Sequence, residues 1–340
     1  MKLREITKLL FVASLVLFII PACVKEGPPG IDGADGADGI DGVDGTDGAD
    51  GADGSAFCID CHNTATMDGF ETQWAPSAHA TGGSFARGTS GTCAPCHSSE
   101  GFIAKAAGLS ATGTTPVNCT TCHTHGETPV FEDEEGNAVF FRTDEAVTLM
   151  ADNTIEVNLT DGANMCVNCH QSRRAYTNID DDGDGMATIP GHYGPHHSSQ
   201  TNMLVGTGGR EFAGTVAYPE SGSTASAHAE LGCVSCHMSE SNHEFSTPMI
   251  SACTDCHGSA TNFDVNGRLT EIAGLITQLE GLLAAEGAFV DGEVVEEIDV
   301  PVDVLGAVWN YLHVMEDQSA GVHNPAYTKA LLQNTIEALQ

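Results

Sequence analysis

The chain of 340 residues has few aromatic and few basic side chains. Aromatic residues make up 6% of it and glycines number 39, so side chains supply little apolar volume for a core of this length. Lys and Arg total 12 against 47 Asp and Glu, which gives a formal net charge of -35. This excess of acid argues against nucleic acids and anionic membrane surfaces as partners. Cationic proteins, metal ions and positively charged substrates remain as candidate partners.

Long apolar runs are also absent, except for one at the N-terminus. Lys2, Arg4 and Lys8 precede apolar residues 9–20, a run too short to span a bilayer comfortably. Residues 1–22 are therefore predicted to be a secretory signal peptide, with a short membrane anchor as the alternative. The stretch that ends at Cys23 resembles a bacterial lipoprotein signal. It predicts lipidation of Cys23 and an exported outer-membrane lipoprotein that faces the periplasm or the cell surface.

Residues 23–55 hold this predicted anchor and a regular acidic repeat. Glycine occupies every third position from Gly27 to Gly54, which is the sequence requirement of a collagen triple helix, and most triplets end in aspartate. No basic residue in the tract offsets these carboxylates, so three such chains side by side would repel one another. The repeat therefore predicts an extended collagen-like stalk that acts as a spacer, with trimerisation as the alternative.

The cysteines follow one pattern, Cys-x-x-Cys-His, which occurs six times and uses all but one of the 13 cysteines. Two thiols at this spacing can each bond one vinyl group of the same haem, and the adjacent histidine then reaches the iron. A zinc half-site or a redox dithiol would explain a single copy, but neither requires a histidine after every pair. The pattern predicts six covalently attached haem c groups. The six motifs, numbered 1–6 along the chain, are Cys58, Cys61 and His62; Cys93, Cys96 and His97; Cys119, Cys122 and His123; Cys166, Cys169 and His170; Cys233, Cys236 and His237; and Cys253, Cys256 and His257.

The remaining histidines are candidates for the distal face of the haem irons. Iron with two axial histidines is closed and suits electron transfer, whereas iron with an open face can bind small molecules. The distal candidates, one of them spare, are His79, His125, His196, His197, His228, His243 and His323. His125 lies too close to His123 to serve the same iron. His192 is a weaker candidate, and His313 falls off the apolar stripe of its helix and is expected to be exposed.

The spacing of the motifs makes further predictions about their haems. His243 lies between motifs 5 and 6 and is predicted to serve one of those two haems. The short separations between motifs 2 and 3, and between motifs 5 and 6, predict closely stacked haem pairs. Haems would form most of the apolar core, so the protein without haem is expected to be largely unfolded.

The predicted fold is mainly α with much irregular structure, built round a covalent haem core. Alternation between motifs 3 and 4 predicts one or two β-hairpins as a small insertion. Residues 56–267 are expected to form a hexahaem domain, and residues 268–340 a helical section that packs on it. Helices in that section are predicted to start at Arg268, near Asp303 and at Asn324–Pro325, where an N-cap precedes a proline.

Two charged clusters lie outside the motifs. Asp180, Asp182 and Asp184 match the first half of a calcium loop whose closing glutamate is missing, so a calcium site completed from elsewhere and a solvated acidic turn are both open. Arg173, Arg174 and Tyr176 follow motif 4. They would suit an oxyanion beside an open haem, but pairing of the arginines with haem propionates is preferred.

The six motifs, the Ser-Ala-His-Ala phrases around His79 and His228, the Gly-Pro-His-His segment and the Gly-Val-His-Asn-Pro helix start together resemble multihaem c-type cytochromes. The resemblance covers residues 56–340 and is to the broad group that includes pentahaem nitrite reductases and exported cytochromes of extracellular respiration. It implies electron transfer through mostly bis-histidine haems, with redox proteins or extracellular acceptors as partners. A terminal oxyanion reductase with one five-coordinate haem and a subunit of a conducting filament are the alternatives. The Cys-x-x-Cys-Lys site usual in those nitrite reductases is absent from the sequence.

Overall fold

The computed structural model describes residues 63–124, 131–132, 138–177, 183–245 and 248–340. The predicted signal peptide, Cys23, the acidic repeat and motif 1 lie outside the described residues, and so do His125, Asp180 and Asp182. In the described residues the fold is mainly α, with four small two-stranded antiparallel sheets, which confirms the predicted fold class at this level. None of the helices in these ranges is long and apolar enough to cross a membrane.

Most helices before residue 268 are short. They are α1 Thr64–Trp74, α2 Ala78–Thr81, α3 Ala94–His97, α4 Ser99–Ala106, α5 Cys119–Cys122, α6 Asn164–Val167, α7 Gln200–Leu204, α8 Ala227–Leu231, α9 Val234–His237 and α10 Ser251–Thr254. Three 3-10 segments accompany them at Gly83–Thr89, Ser239–Ser241 and Val265–Gly267. Even the longest of these helices, α1, buries none of its side chains. Local hydrogen bonds define most of these short helices, and a small hydrophobic cluster that includes Leu149, Val157 and Val205 is buried in this part of the chain.

Three long helices follow, at the positions that the sequence predicts. They are α11 Arg268–Ala285, α12 Val302–Asp317 and α13 Pro325–Ala338. The side chain of Asn324 caps α13 by accepting a 3.0 Å hydrogen bond from the backbone N–H of Tyr327, as expected for an N-cap before proline. The helices share one hydrophobic core, whose fully buried members include Leu279, Leu305 and Leu331. Ala187, Ile189 and Met203, from the region before residue 268, belong to the same core.

The strands are short and pair close to their neighbours in the chain, with one exception. β1 Phe131–Glu132 pairs with β2 Ala138–Val139, β3 Val147–Thr148 with β4 Glu156–Val157, β5 Met186–Thr188 with β8 Asp299–Pro301, and β6 Phe289–Val290 with β7 Glu293–Val294. The first two pairs are the hairpins predicted between motifs 3 and 4. The β5–β8 pair is the exception, since it joins the segment after motif 4 to the helical section through the register Ala187↔Val300.

The prediction for His313 is wrong. The stripe formed by Val304, Val308 and Tyr311 is buried as predicted, but Met315 is exposed and His313 is completely buried. Helix α12 packs against α11, α13, α7, β5 and β8, so nearly its whole circumference is covered. A single apolar stripe cannot identify the buried face of a helix that is surrounded in this way.

Candidate haem sites

Each motif described by the structure forms a single closed turn. In motifs 2–6 the backbone N–H of the histidine donates to the carbonyl of the first cysteine, at distances of 2.8 to 3.0 Å. This is the i to i-4 hydrogen bond of one α-helical turn, which places two thiols and one imidazole on a short rigid segment. The turn needs no long helix, because the spacing within the motif is satisfied by local backbone geometry.

Each of these five motif histidines lies opposite a second histidine from a distant part of the chain. The ring centroids are separated by 6.1 Å for His170 and His79, 6.2 Å for His97 and His196, 6.2 Å for His123 and His243, 6.3 Å for His237 and His323, and 6.4 Å for His257 and His228. Ordinary ring contacts have centroids about 4.5 to 7 Å apart, so they would be expected to scatter across that range. Five separations within so narrow a range indicate a common geometric cause.

The common separation fits two imidazoles on opposite sides of one metal ion. A metal–imidazole bond is about 2 Å long and the bonded nitrogen lies about 1 Å from the ring centroid, so trans imidazoles have centroids roughly 6 Å apart. Two thiols for covalent attachment and two imidazoles for the iron are the groups that a c-type haem with bis-histidine ligation requires. The residues present therefore fit this group.

Hydrogen bonds at the other ring nitrogen support the same arrangement. The Nδ1 atoms of His123, His243 and His228 lie 3.2, 2.9 and 2.6 Å from the carbonyl oxygens of Phe140, Ser241 and Val322. Nδ1 of His323 lies 2.6 Å from the carboxylate oxygen Oδ1 of Asp317. Hydrogen bonds of this kind fix the tautomer and orientation of a metal-binding imidazole, and they leave Nε2 as the nitrogen for iron.

Burial keeps several of these imidazoles in the neutral form that binds metals. Burial, and next the nearby His170, lowers the pKa of His79 from 6.5 to about 4. Burial also lowers the pKa values of His170, His123 and His243 below the ordinary range. A neutral imidazole keeps a lone pair free for iron, so no proton has to be displaced at neutral pH.

The repeated Ser-Ala-His-Ala phrase is a capped helical turn. In α2 the hydroxyl of Ser77 accepts a 3.3 Å hydrogen bond from the backbone N–H of Ala80. In α8 the hydroxyl of Ser226 accepts a 3.2 Å bond from the backbone N–H of Ala229. The serine thus starts a one-turn helix and fixes the histidine two residues later. The phrase occurs twice because the same serine-capped turn positions a histidine in both α2 and α8.

The other histidine segment, residues 192–197, uses strained backbone instead of a helix. His192, His196 and His197 all have positive φ angles, of 57°, 79° and 51°. Residues other than glycine seldom adopt this backbone conformation. His196 reaches His97, whereas His197 is exposed with its Nδ1 2.6 Å from Oε1 of Glu316. His192 is exposed and its carbonyl accepts a 2.6 Å bond from Arg174. The structure therefore separates the roles of the three residues.

His243 lies at motif 3, although it falls between motifs 5 and 6 in the sequence. Its ring is 4.5 Å from that of Phe70, and its backbone N–H donates to the side chain of Gln73, both on α1. The indole of Trp74, on the same helix, donates a 3.1 Å bond to the carbonyl of Val117 just before motif 3. Helix α1 thus contacts both the loop that contains His243 and the segment before motif 3, and it holds His243 close to His123. Spacing along the chain could not have indicated this.

The motifs also contact one another. The thiol of Cys96 in motif 2 lies 3.7 Å from the carbonyl oxygen of Asn168, and that of Cys169 in motif 4 lies 3.8 Å from the carbonyl oxygen of Pro95. These two contacts are reciprocal, so motifs 2 and 4 pack face to face. The thiols of motif 4 and motif 5 meet through Cys166 and Cys233. Motif 5 in turn lies beside motif 6, since α9 contacts α10.

The cluster after motif 4 does not form one site. Arg173 is exposed and lies near motif 2, where burial, then Arg87 and then Arg173 lower the pKa of His97. Tyr176 packs edge-on against Trp309, with the guanidinium of Arg210 5.5 Å from the centre of its ring. Arg174 donates to the backbone carbonyl of His192. The three residues are close in the sequence but have different surroundings in the structure.

The third aspartate of the predicted calcium loop is in the described part of the chain. Oδ1 of Asp184 accepts a 2.8 Å bond from the backbone N–H of Met186. Among the described residues, no three His, Cys, Asp or Glu side chains come together in a way that could hold a metal ion. The calcium site stays a prediction, because its first two aspartates lie outside those residues.

The chain is similar in sequence to proteins of one class. The chain is similar to the C-type polyheme cytochrome OmcC of Geobacter sulfurreducens, with 23% identity over 334 aligned positions, 73% of this chain and 42% of that protein. It is similar to the C-type polyheme cytochrome OmcB of the same species, with 24% identity over 333 positions, 73% of this chain and 44% of that protein. The chain therefore spans less than half the length of these relatives.

A solved structure and the family models complete the comparison. The match to the crystal structure of the outer cell wall cytochrome OcwA has a TM-score of 0.48 and 20% identity, and it covers 79% of this chain and 50% of that one. No family model matches the chain. The repeated Cys-x-x-Cys-His motif and the polyheme relatives together identify the chain as a multihaem c-type cytochrome.

Proposed function

We propose that the protein binds six haem c groups, one at each motif, and carries electrons between redox partners. The two cysteines of each motif would hold a haem covalently, and the histidine that follows would be its proximal ligand. Bound haem would supply a one-electron iron couple. The protein's own contribution is to fix each iron between two imidazoles and to exclude other ligands from it.

The five histidine pairs carry this proposal. They support His196 as the distal ligand at motif 2, His243 at motif 3, His79 at motif 4, His323 at motif 5 and His228 at motif 6. His125 is the candidate that remains for motif 1, with His197 as the spare. Iron closed on both faces favours electron transfer over chemistry on a bound substrate. The contacts among motifs 2, 4, 5 and 6 place these sites next to one another, as electron transfer between them requires.

The place of action follows from the sequence and from the relatives' class. We propose an exported protein, anchored through a lipidated Cys23 and the acidic stalk, that acts in outer-membrane or extracellular respiratory electron transport. Its partners would be redox proteins or extracellular acceptors, with cationic surfaces favoured by the net charge of -35. Self-association through the stalk or into a filament, and calcium at the acidic loop, are further proposals of lower rank.

The alternative is a reductase for an oxyanion such as nitrite. It needs at least one iron with an open face, together with the cationic groups of Arg173 and Arg174. The pairing of motifs 2–6 leaves motif 1 as the place for such an iron. Both arginines are exposed, and pairing with haem propionates is the alternative role for them.

One experiment separates these functions. Electron paramagnetic resonance of the oxidised, fully matured protein would be integrated for low-spin and high-spin ferric haem. We expect six low-spin haems that added nitrite leaves unchanged. A high-spin haem that shifts with nitrite would contradict the carrier and favour the reductase.

Variants then test the assignment of ligands. His243→Ala should convert one haem in six to high spin, because it removes the partner of His123. The matched control is His197→Ala, in a histidine that pairs with Glu316 rather than with a motif, and it should convert none. Equal spectra for the two variants would contradict the assignment of His243.

A further inference from the structure

The acceptor of one ligand hydrogen bond differs in kind from the others. Of the four Nδ1 hydrogen bonds described at paired histidines, three run to peptide carbonyls, which are neutral. The fourth runs from His323 to Oδ1 of Asp317, over 2.6 Å. The side chain of Asp317 is completely buried, whereas that of His323 is 22% exposed. A buried carboxylate against a ligand imidazole has a stronger effect than one in water, since little solvent screens it.

The surrounding turn holds the carboxylate in place. Ser319 donates its hydroxyl hydrogen to Oδ2 of Asp317, and the same hydroxyl oxygen accepts from the backbone N–H groups of Gly321 and His323, at 3.2 and 3.3 Å. Gln318, Ala320 and Gly321 have positive φ angles. The backbone between α12 and α13 is thus bent into a strained turn whose polar groups converge on Asp317 and His323.

We propose that Asp317 is a positioning residue that lowers the reduction potential of the haem at motif 5. The proposal rests on the function above, in which His323 is the distal ligand of that haem. A carboxylate that accepts from Nδ1–H gives the imidazole more imidazolate character and makes Nε2 a stronger donor. A stronger donor and a nearby negative charge both stabilise ferric iron, so the haem is harder to reduce.

The neighbouring site provides the contrast. His228, the proposed distal ligand at motif 6, donates to the carbonyl of Val322, which belongs to the same turn. One short turn therefore gives adjacent haems a charged acceptor at motif 5 and a neutral one at motif 6. Of these two haems, the one at motif 6 then has the higher reduction potential and takes up an electron first. The turn sets a difference in potential between two neighbouring sites.

The test is a spectroscopic redox titration of the full-length, haem-loaded protein. His323→Met identifies the component that belongs to motif 5, because a methionine ligand raises the potential of its haem. Asp317→Asn keeps an acceptor oxygen but removes the charge. It should move that same component to higher potential by about a tenfold change in its reduction equilibrium, which is about 59 mV for one electron. Ser319→Ala removes a hydrogen bond to the carboxylate of Asp317, which leaves more negative charge for the bond from His323. This variant should move the motif 5 component to lower potential.

A matched control removes a neighbouring charge. Glu316→Gln takes one carboxylate from the adjacent position, where it pairs with His197, and should leave the motif 5 component in place. If Glu316→Gln and Asp317→Asn shift it equally, general charge and not the hydrogen bond sets the potential, and the proposal fails. If His323→Met moves no component, the assignment of His323 fails instead. If His323→Met moves one component that Asp317→Asn leaves unchanged, the assignment stands and the role of Asp317 fails.

Discussion

Residues 63–267 and residues 268–340 differ in the length of their helices and in how densely their side chains are buried. In the first region most helices are one or two turns long, α1 buries none of its side chains, and histidines sit in loops with positive φ angles. In the second, 11 of the 16 residues of α12 are buried. Half of the buried hydrophobic residues in the described part of the chain lie in this last section, although it is much the shorter region.

The difference shows where each region obtains its stability. The helical section has a side-chain core of ordinary kind, whose apolar burial stabilises it directly. The motif region is longer and has a smaller hydrophobic cluster around Leu149 and Val157, and covalently bound haems would add apolar volume to it. The two regions are nevertheless linked, because the turn after α12 provides His323 and the acceptor of His228.

Removal of haem should have the largest effect and should divide the regions. In the full chain produced without haem attachment, we expect residues 63–267 to lose most of their protection from hydrogen exchange, except where Ala187, Ile189 and Met203 pack in the core of the helical section. The helices of residues 268–340 should keep measurable protection, because their core is made of side chains. Hydrogen exchange read by mass spectrometry measures both. Equal loss in the two regions would contradict the comparison.

A cavity in the helical core should have the next largest effect. Leu331→Ala removes a fully buried side chain and should lower the free energy of unfolding by about 2 to 5 kcal/mol. Denaturation followed by far-ultraviolet circular dichroism measures this loss, while the haem spectrum of the folded protein should not change. Leu109→Ala, at a position 70% exposed, is the control and should change stability by less than about 0.5 kcal/mol.

Acid should destabilise the helical section through His313. Burial lowers the pKa of His313 from 6.5 to about 4 in the folded protein. The unfolded chain therefore binds a proton first as the pH falls below 6.5. The free energy of unfolding should fall by about 2 kcal/mol from this group between pH 7 and pH 5.

The variant His313→Gln isolates that contribution. Glutamine can still donate to the carbonyl of Thr207, which lies 3.1 Å from Nε2 of His313, but it does not titrate. Its stability should fall less steeply with acid than that of the parent protein, measured by denaturant titration at each pH. Parallel pH profiles for the two proteins would show that His313 contributes nothing.

Loss of a helix cap in the motif region should have the smallest effect. Ser226→Ala removes the cap of α8 and should destabilise the turn that carries His228 by about 1 kcal/mol. Optical spectra during warming should then show high-spin haem appearing at lower temperature than in the parent. Ser221→Ala, at an exposed position before the helix, is the control. A cap with no effect would mean that haem ligation alone fixes this turn.

Much of the local structure could be predicted from the sequence. The motifs, the starts of α11–α13 and the hairpins all depend on residues close together in the chain, where hydrogen-bonding patterns and caps are readable. The Ser-Ala-His-Ala phrase also marked two histidines, although its meaning as a capped turn became clear only from the structure. His313 was missed because an apolar stripe describes a helix with one covered side, and α12 is covered almost all round.

The importance of Asp317 was missed for a different reason. It lies six residues before His323, at no spacing that a known pattern uses, and its carboxylate meets the ring only because the backbone turns sharply between α12 and α13. A signal did exist, since an aspartate close before a candidate ligand can accept a hydrogen bond from the ligand's other ring nitrogen. That signal is weak in a chain with 47 acidic residues.

The sequence by itself determined where haem can be attached, because two cysteines and a histidine act within one turn of backbone. It also predicts that the chain depends on a bound apolar group, since its own aromatic side chains are few. Tertiary structure alone decided which histidine faces which motif. His243 lies between motifs 5 and 6 in the sequence but faces His123 of motif 3 in the structure. The reason is that α1 contacts both the loop of His243 and the segment before motif 3. Such pairings arise from the packing of distant segments, which no local spacing encodes.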